Sequence, residues 1–242
     1  MKVDRERCIG CRQCFAQCPV RAISLREGKA DIHQDRCVEC HICAYSGVCP
    51  KNALVIEELS YPRSLRSAFS DVKKPHKDTG VLGRGTEEMK TNDVTARLKL
   101  GRLGISVELG RPGVSTSFRD VQTIAMKLAP LSVHFEPENP VTSLMTDIRT
   151  GALREEVLEE RALSALVEID IPEDRLMDVI HALQEAEPEV DTVFSLCIAS
   201  PLDPETGDIP FAETLRKNHI PFRPNGKTNV GLGRPFKEVE RA

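Results

Sequence analysis

Regular patterns of apolar and polar residues begin near Leu103 and predict alternating strands and helices. Strands are predicted where apolar residues recur at every second position, as at Ile105, Val107 and Leu109. Helices are predicted where apolar residues recur every three or four positions after a capping residue. The predicted strands read "ISVEL", "LSVHFE", "LSALVEID" and "TVFSLCIA", and the predicted helices read "STSFRDVQTIAMKLAP", with Ser117 and Asp120 spaced as a capping box, and "PEDRLMDVIHALQEAEP".

This order of elements predicts an α+β domain over residues 102–200. Two strand–helix–strand units with right-handed crossovers place both helices on one face of a four-stranded antiparallel sheet. The arrangement is the split βαβ, or ferredoxin-like, topology, and it resembles ACT-type domains at the level of fold only. Residues 137–161 are an insertion between the two units, and a helix is predicted there at "LREEVLEERAL".

The face of this sheet that points away from the helices is predicted to be polar. We therefore expect it to meet water or, because such faces often pair in oligomers, a second copy of the chain in a homodimer. The residues assigned to this face are Ser106, Glu108, Ser132, His134, Glu136, Glu168, Ser195 and Cys197.

Two segments lack sustained periodicity and are predicted to be irregular. Residues 60–101 are interpreted as an extended basic and glycine-rich linker, since the stretch from Tyr61 to Arg84 has six lysines and arginines against two aspartates. Residues 201–242 are interpreted as an irregular C-terminal tail.

Both irregular segments contain a Lys-Thr-Asn sequence near a Gly-Arg pair. Glycine-rich backbone together with arginine can hold a phosphate or carboxylate, so these loops are candidates for anion or ligand binding. Neither loop matches the phosphate-loop or dinucleotide fingerprints, and coincidental composition and partner docking are the alternatives. The candidate residues are Arg84, Lys90, Asn92, Lys227, Asn229 and Arg234.

Eight of the nine cysteines lie within the first 59 residues and form an internal repeat. Each half has three cysteines spaced three apart and ends in a Cys-Pro step, within "CPVRAISL" and "CPKNALVI". The last pair of cysteines in the second half is separated by two additional residues. With a constant offset of 29 residues, Cys8, Cys11 and Cys14 correspond to Cys37, Cys40 and Cys43.

The spacing of these cysteines indicates metal ligands. Nothing in the sequence suggests the oxidising compartment that a disulfide framework requires. Zinc is the first alternative, but structural zinc sites usually take their ligands as two separated pairs. Three closely spaced cysteines and a fourth followed by proline favour an iron–sulfur cluster.

The repeat resembles the bacterial-type dicluster ferredoxins, over about a quarter of the chain. The resemblance implies two [4Fe–4S] clusters, with the fourth cysteine of each half bound to the other half's cluster. The two additional residues, including Gly47, would then bulge outward without disturbing the three closely spaced cysteines, although they can alter the surroundings of the first cluster. On this basis one cluster takes Cys8, Cys11, Cys14 and Cys49, and the other takes Cys37, Cys40, Cys43 and Cys18.

These features favour low-potential one-electron transfer to or from a redox partner protein or a larger oxidoreductase complex. The domain at 102–200 would then dock the partner, dimerise or sense a small ligand. The rivals are an iron–sulfur oxidoreductase that binds substrate or flavin at the Gly-Arg loops, and a redox- or ligand-responsive regulatory or assembly factor. No residue is identified as a catalytic acid, base or nucleophile, so enzymatic activity is left open.

Composition adds a few expectations. The net charge of −4 gives no general argument for nucleic acid, and no apolar run is long enough to cross a membrane. The first residues lack the apolar core of a secretory signal, so we expect a cytoplasmic protein. Cys197 lies far from the other cysteines and is interpreted as a structural or idle thiol. The six histidines show no ligand spacing and are interpreted as surface or core residues.

Overall fold

The N-terminal module consists of two loop-rich halves held by short strand pairs. In this computed structural model, the structure describes residues 1–77, 80–82, 98–111, 113–223 and the strand 228–233. The first strand of the module pairs antiparallel with its fourth, and the second and third form a hairpin. The elements are β1 (Lys2–Val3), β2 (Ile23–Arg26), β3 (Lys29–Ile32), α1 (Ile42–Tyr45) and β4 (Leu54–Val55), with a 3₁₀ helix at Phe15–Gln17.

The second module contains one large sheet, several two-residue or three-residue strands, and helices. Its helices are α2 (Ser64–Ser70), α3 (Phe118–Leu128), α4 (Leu176–Ala186) and α5 (Ala212–Lys217). None of the helices in the described part of the chain is long and apolar enough to cross a membrane. The strands are β5 (Arg102–Leu109), β6 (Thr116–Ser117), β7 (His134–Phe135), β8 (Met145–Asp147), β9 (Ala152–Leu153), β10 (Arg161–Ala162), β11 (Ala165–Pro172), β12 (Val193–Ala199) and β13 (Thr228–Gly233).

The large sheet has the split βαβ topology. Its strand order is β13–β12–β5–β11–β7, and every neighbouring pair is antiparallel. The register places apolar residues opposite each other, because Val107 of β5 lies between Val167 of β11 and Leu196 of β12. These side chains pack with α3 and α4 in one buried core. The predicted α+β class is therefore confirmed.

The beginning of α3 follows the predicted capping pattern. The Ser117 hydroxyl accepts a hydrogen bond from the Asp120 backbone N–H at 3.0 Å, and the Asp120 carboxylate accepts one from the Ser117 N–H at 3.1 Å. These bonds satisfy two backbone donors that an open helix terminus would leave unpaired. The predicted capping box is confirmed.

The sheet has one strand more than the four predicted. Strand β13 pairs with the outer edge of β12, within the segment interpreted as an irregular tail. Helix α5 also lies in that segment, and its Leu215 is fully buried. The prediction that 201–242 is irregular is wrong at these elements, because backbone pairing along a sheet edge does not require an alternating apolar pattern.

Most central residues of the predicted polar face are buried rather than exposed to solvent. Ser106, Glu108, Glu168 and Cys197 are each 6% exposed or less. The two glutamates have polar partners inside the protein, since Cys197 Sγ donates to Glu108 Oε1 at 3.2 Å and Asn139 Nδ2 donates to Glu168 Oε2 at 2.6 Å. The expectation that this whole face meets water or a second copy is therefore wrong at its centre.

Part of the predicted linker is a helix in the main core. Leu65 and Phe69 lie four residues apart on α2, and both are buried among the core residues of the second module. The Phe69 ring meets the Phe118 ring of α3 edge to face, with 5.1 Å between the ring centroids. The helix has only two turns, so its apolar spacing was too short to stand out in the sequence.

The predicted helix at "LREEVLEERAL" does not form. Short strands β9 and β10 occupy its ends, and a 3₁₀ helix at Glu155–Val157 lies between them. Strand β10 instead pairs with β6 directly before α3. This pairing fixes the backbone in an extended form that overrides the helical propensity of the glutamates and leucines.

We predict that Phe69→Ala lowers the free energy of unfolding by about 3–5 kcal/mol, because it removes a buried aromatic ring from the core. Urea denaturation of the anaerobically prepared protein measures this change. Leu202→Ala is the control, because Leu202 is 57% exposed and its loss is expected to change stability by less than about 0.5 kcal/mol. Equal effects of the two substitutions would show that α2 does not dock in the core.

Candidate metal centre

The eight clustered cysteines line two separate cavities in the N-terminal module. Each cavity takes three cysteines from one half of the repeat and the Cys-Pro cysteine from the other. Within the described residues, no three His, Cys, Asp or Glu side chains converge on the position of a single metal ion. The first cysteine group is Cys8, Cys11, Cys14 and Cys49, and the second cysteine group is Cys18, Cys37, Cys40 and Cys43.

The chemistry of these cavities fits a group that supplies positive charge. Burial, together with the neighbouring cysteine sulfurs, raises the pKa of Cys40 to about 11 and that of Cys43 to about 12. Thiols with such a pKa stay protonated at neutral pH unless a cationic centre stabilises the thiolate form. Four sulfurs around a small apolar cavity are therefore suited to an iron–sulfur cluster.

The Cys-Pro cysteines have matching backbone environments in the two halves. The Ala22 N–H donates to Cys18 Sγ at 3.1 Å, and the Ala53 N–H donates to Cys49 Sγ at 3.2 Å. In both cases the donor lies four residues after the cysteine. Hydrogen bonds to cluster sulfurs are one of the means by which a protein sets a reduction potential.

The cysteine loops of both halves use left-handed backbone at corresponding positions. Gly10 and Glu39 have φ of 69° and 53°, and Arg12 and His41 have φ of 64° and 58°. A Cβ atom at Gly10 would lie only 2.1 Å from the Gly28 carbonyl oxygen, so no side chain fits there. Left-handed backbone is uncommon for residues other than glycine. Its recurrence at corresponding positions shows that the two loops follow the same path.

The two additional residues of the second half are accommodated without loss of this geometry. The first half continues from its third cysteine into a 3₁₀ helix, whereas the second half forms the four-residue α1. Gly47 follows α1 with a φ of 66°, and a Cβ there would meet no atom within 4 Å. The longer segment turns in open space, and Cys49 keeps its bond from Ala53.

Comparison with known proteins agrees with this geometry. A family model described as a 4Fe-4S binding domain matches residues 1–24. An uncharacterized ferredoxin of Methanocaldococcus jannaschii is 39% identical over 57 residues, covering 23% of this chain and 74% of that protein. Through its N-terminal module, the chain belongs to the 4Fe-4S ferredoxins.

Two further relatives match short stretches of the chain. An uncharacterized protein of Porphyra purpurea, from the rpl9-rpl11 intergenic region, is 39% identical over 70 residues, covering 25% of this chain and 91% of that protein. One component of an ion-translocating oxidoreductase complex of Methanosarcina acetivorans is 40% identical over 47 residues, or 19% of this chain. The chain spans only 17% of the length of that component. No solved structure matches the chain.

The two cysteine groups of the ferredoxin module differ in exposure. Cys11 of the first group is exposed at the surface. In the second group, Cys37, Cys40 and Cys43 are each 8% exposed or less. The second group is sheltered because its loop lies against α2, which belongs to the core of the second module.

A network of buried charges surrounds the loop of the second group. Glu39 is fully buried and accepts hydrogen bonds from the Met1 ammonium and from Arg63 Nη2, the latter at 2.6 Å. Burial alone would raise the pKa of Glu39, but His41, the Met1 ammonium and Arg63 lower it to about 2. His41 Nδ1 lies 2.8 Å from Asp71 Oδ2, which also accepts from the Tyr45 hydroxyl at 2.9 Å.

Arg66 of α2 connects the ferredoxin module to the second module. Its Nη1 donates to the carbonyl oxygens of Gln34 and Cys37, each at 2.8 Å. Its Nε forms an ion pair with Glu160, and both side chains are largely buried. The guanidinium therefore joins the backbone of the second group's loop to a carboxylate that lies directly before β10.

Most of these neighbours of the second group were not predicted from the sequence. Glu39 and His41 could have been singled out in the sequence, because they replace Gly10 and Arg12 at the corresponding positions of the repeat. The arginines of α2 could not have been singled out in this way, since the whole segment was interpreted as a linker. The predicted ligand-loop residues Arg84, Lys90, Asn92, Lys227 and Arg234 lie outside the described residues, and Asn229 lies in β13 opposite Cys197.

We predict that Arg66→Met lowers the free energy of unfolding by about 3–5 kcal/mol, because it leaves Glu160 and two carbonyl oxygens without their buried partner. Arg119→Met is a matched control, because Arg119 pairs with the adjacent Glu159 at the surface and its loss is expected to cost about 1 kcal/mol or less. Urea denaturation of both variants measures the difference. Equal losses would contradict a bridging role for Arg66.

Proposed function

We propose that the chain binds two [4Fe–4S] clusters and acts as a one-electron carrier. The observation that carries this proposal is the division of eight cysteines into two groups of four, each around its own cavity. When bound, such clusters take up and release single electrons. The ligands would be Cys8, Cys11, Cys14 and Cys49 for one cluster, and Cys18, Cys37, Cys40 and Cys43 for the other.

The residues around the first cysteine group support a role as the contact point for a redox partner. Ile9 lines this cavity and is 60% exposed, and Arg12 and Lys51 line it as well and are also exposed. In the described part of the chain, neither Arg12 nor Lys51 has an ion-pair partner. An apolar contact flanked by two cations favours a partner with an acidic docking surface.

The second module would hold the second cysteine group away from solvent and supply surface for assembly. Similarity to a component of an ion-translocating oxidoreductase complex supports a larger oxidoreductase assembly as the setting. Cysteines that hold iron–sulfur clusters must stay reduced, which favours a reducing compartment such as the cytoplasm.

We predict that Cys49→Ala and Cys18→Ala each reduce the iron content from about eight to about four atoms per chain. The iron that remains should differ between the variants. In Cys49→Ala it would be held by the sheltered Cys37, Cys40 and Cys43, so a chelator should remove it slowly. In Cys18→Ala it would be held by the exposed group that includes Cys11, so removal should be fast.

Iron analysis after anaerobic reconstitution, followed by the rate of chelation, tests this crossed arrangement. Cys197→Ala is the control and should keep the full iron content, because Cys197 lies in the large sheet beside Glu108. The reverse order of chelation rates would show that each fourth cysteine serves its own half. Iron far below about eight atoms in the unmodified chain would contradict two clusters.

We predict that a variant with both Arg12→Glu and Lys51→Glu transfers electrons to ferricyanide about tenfold more slowly at low salt. The reduced protein would meet this anionic oxidant with a reversed local charge, and the effect should fade near 0.5 M salt, roughly the range in which screening becomes strong. Stopped-flow absorbance of the dithionite-reduced protein, freed of excess reductant, measures the rate.

A cationic oxidant, tris(phenanthroline)cobalt(III), should show the opposite change with the same variant. The control is Lys217→Glu on α5, which alters charge in the second module and should leave both rates nearly unchanged. Equal rates for the double variant and the unmodified protein would show that electrons do not leave through the first cysteine group.

A further inference from the structure

A cavity of about 450 Å³ lies between α2 and the insertion of the second module, separate from both cysteine groups. Its wall on one side is formed by Ser64, Leu65 and Ala68 of α2. The opposite wall includes Leu144 and Arg154 of the insertion. Its volume is within the range of small-molecule binding sites in proteins.

The charged side chains that line this cavity are cations. Lys74, Lys77 and Arg154 line it, and the acidic residues of the described chain are absent from its walls. None of the three cations forms an ion pair with the described residues. Three positive charges around one concave space repel one another, and a ligand or solvent of opposite charge offsets this repulsion.

Arg154 gives the clearest indication of a ligand. Its Nε atom is shielded from solvent and has no hydrogen-bond partner. The guanidinium carbon lies 5.9 Å from the centroid of the Tyr61 ring, so the ring supports the group from one side. The two terminal nitrogens of this guanidinium also have no hydrogen-bond partner among the described residues, and such a group is suited to bind a phosphate or a carboxylate through two parallel bonds.

The remaining walls define the rest of the ligand. Leu65, Ala68, Pro75 and Leu144 supply apolar surface next to the cations. The Ser64 hydroxyl adds a donor at the same cavity. A molecule with an apolar body and an end that carries two or more negative charges would meet both kinds of surface.

We propose that this cavity is a binding site for a small, multiply charged anion with an apolar body, such as a nucleotide or an organic polycarboxylate. Arg154 binds the anionic end, and Lys74 and Lys77 neutralise the remaining charge. Neither cysteine group contributes to its walls, so the site is separate from the proposed clusters.

Isothermal titration calorimetry of the full chain, prepared anaerobically with its metal, tests the site with ADP, pyrophosphate and citrate. We expect at least one of these probes to bind with a Kd below about 1 mM at low salt and more weakly as salt is added. Stronger binding of ADP and pyrophosphate than of citrate identifies a phosphorylated ligand, and the reverse order identifies a polycarboxylate.

Arg154→Gln and Lys74→Gln should each weaken binding about tenfold or more, because each removes a charged donor. Lys217→Gln on α5 is the matched control and should leave the affinity unchanged. If Arg154→Gln fails to fold, Lys74→Gln and Lys77→Gln test the same site, because both lysines are exposed. Absence of binding for all three probes up to about 10 mM, or affinities that these substitutions leave unchanged, would overturn the proposal.

Discussion

Sulfur atoms from both halves of the N-terminal repeat meet around each of two cavities, and the organisation of the module depends on this convergence. The module has little else to hold it, because its strand pairs are two or four residues long and several of its core residues are themselves cysteines. A unit of about 60 residues with so small an apolar core ordinarily needs a further crosslink. Exchange of the fourth cysteine makes each half necessary for the cavity of the other.

The loops around the two cavities have the same backbone conformation, but the residues that surround the cavities differ. Corresponding left-handed residues shape both loops, yet Gly10 and Arg12 in one are replaced by Glu39 and His41 in the other. The first cavity borders on solvent, and exposed cations surround it. The second lies beside buried charges that are paired with one another and with α2. Similar clusters in such different surroundings would have different reduction potentials, because burial, charge and hydrogen bonds each shift them.

Periodic and locally determined features were predictable from the sequence. The cysteine repeat, the capping box at Ser117, and the apolar faces of α3 and α4 all follow from spacing along a single element. Features that depend on contacts between distant segments were not. Two-turn α2 forms because Leu65 and Phe69 find a place in a core assembled from residues far along the chain.

The same reason explains the other departures. Strand β13 exists because β12 offers a free edge, and the predicted helix near residue 158 is displaced by the pairing of β10 with β6. The polar side of the sheet was expected to be wet because its residues are polar. Glu108 and Glu168 are buried nonetheless, because Cys197 and Asn139 supply hydrogen bonds there in place of water.

The position of α2 also decides where the chain can be cut. The segment predicted from the sequence to be the ferredoxin domain ends at residue 59. Arg63, Arg66 and Asp71 nevertheless complete the surroundings of Glu39, Cys37 and His41. A fragment that ended at residue 59 would leave Glu39, Cys37 and His41 without these partners. A fragment that extended through Asp71 would keep these partners. It would lack Glu160, the ion-pair partner of Arg66, and Phe118, which packs against Phe69. The ferredoxin module is thus not a unit that can be separated from the rest of the chain without loss of contacts.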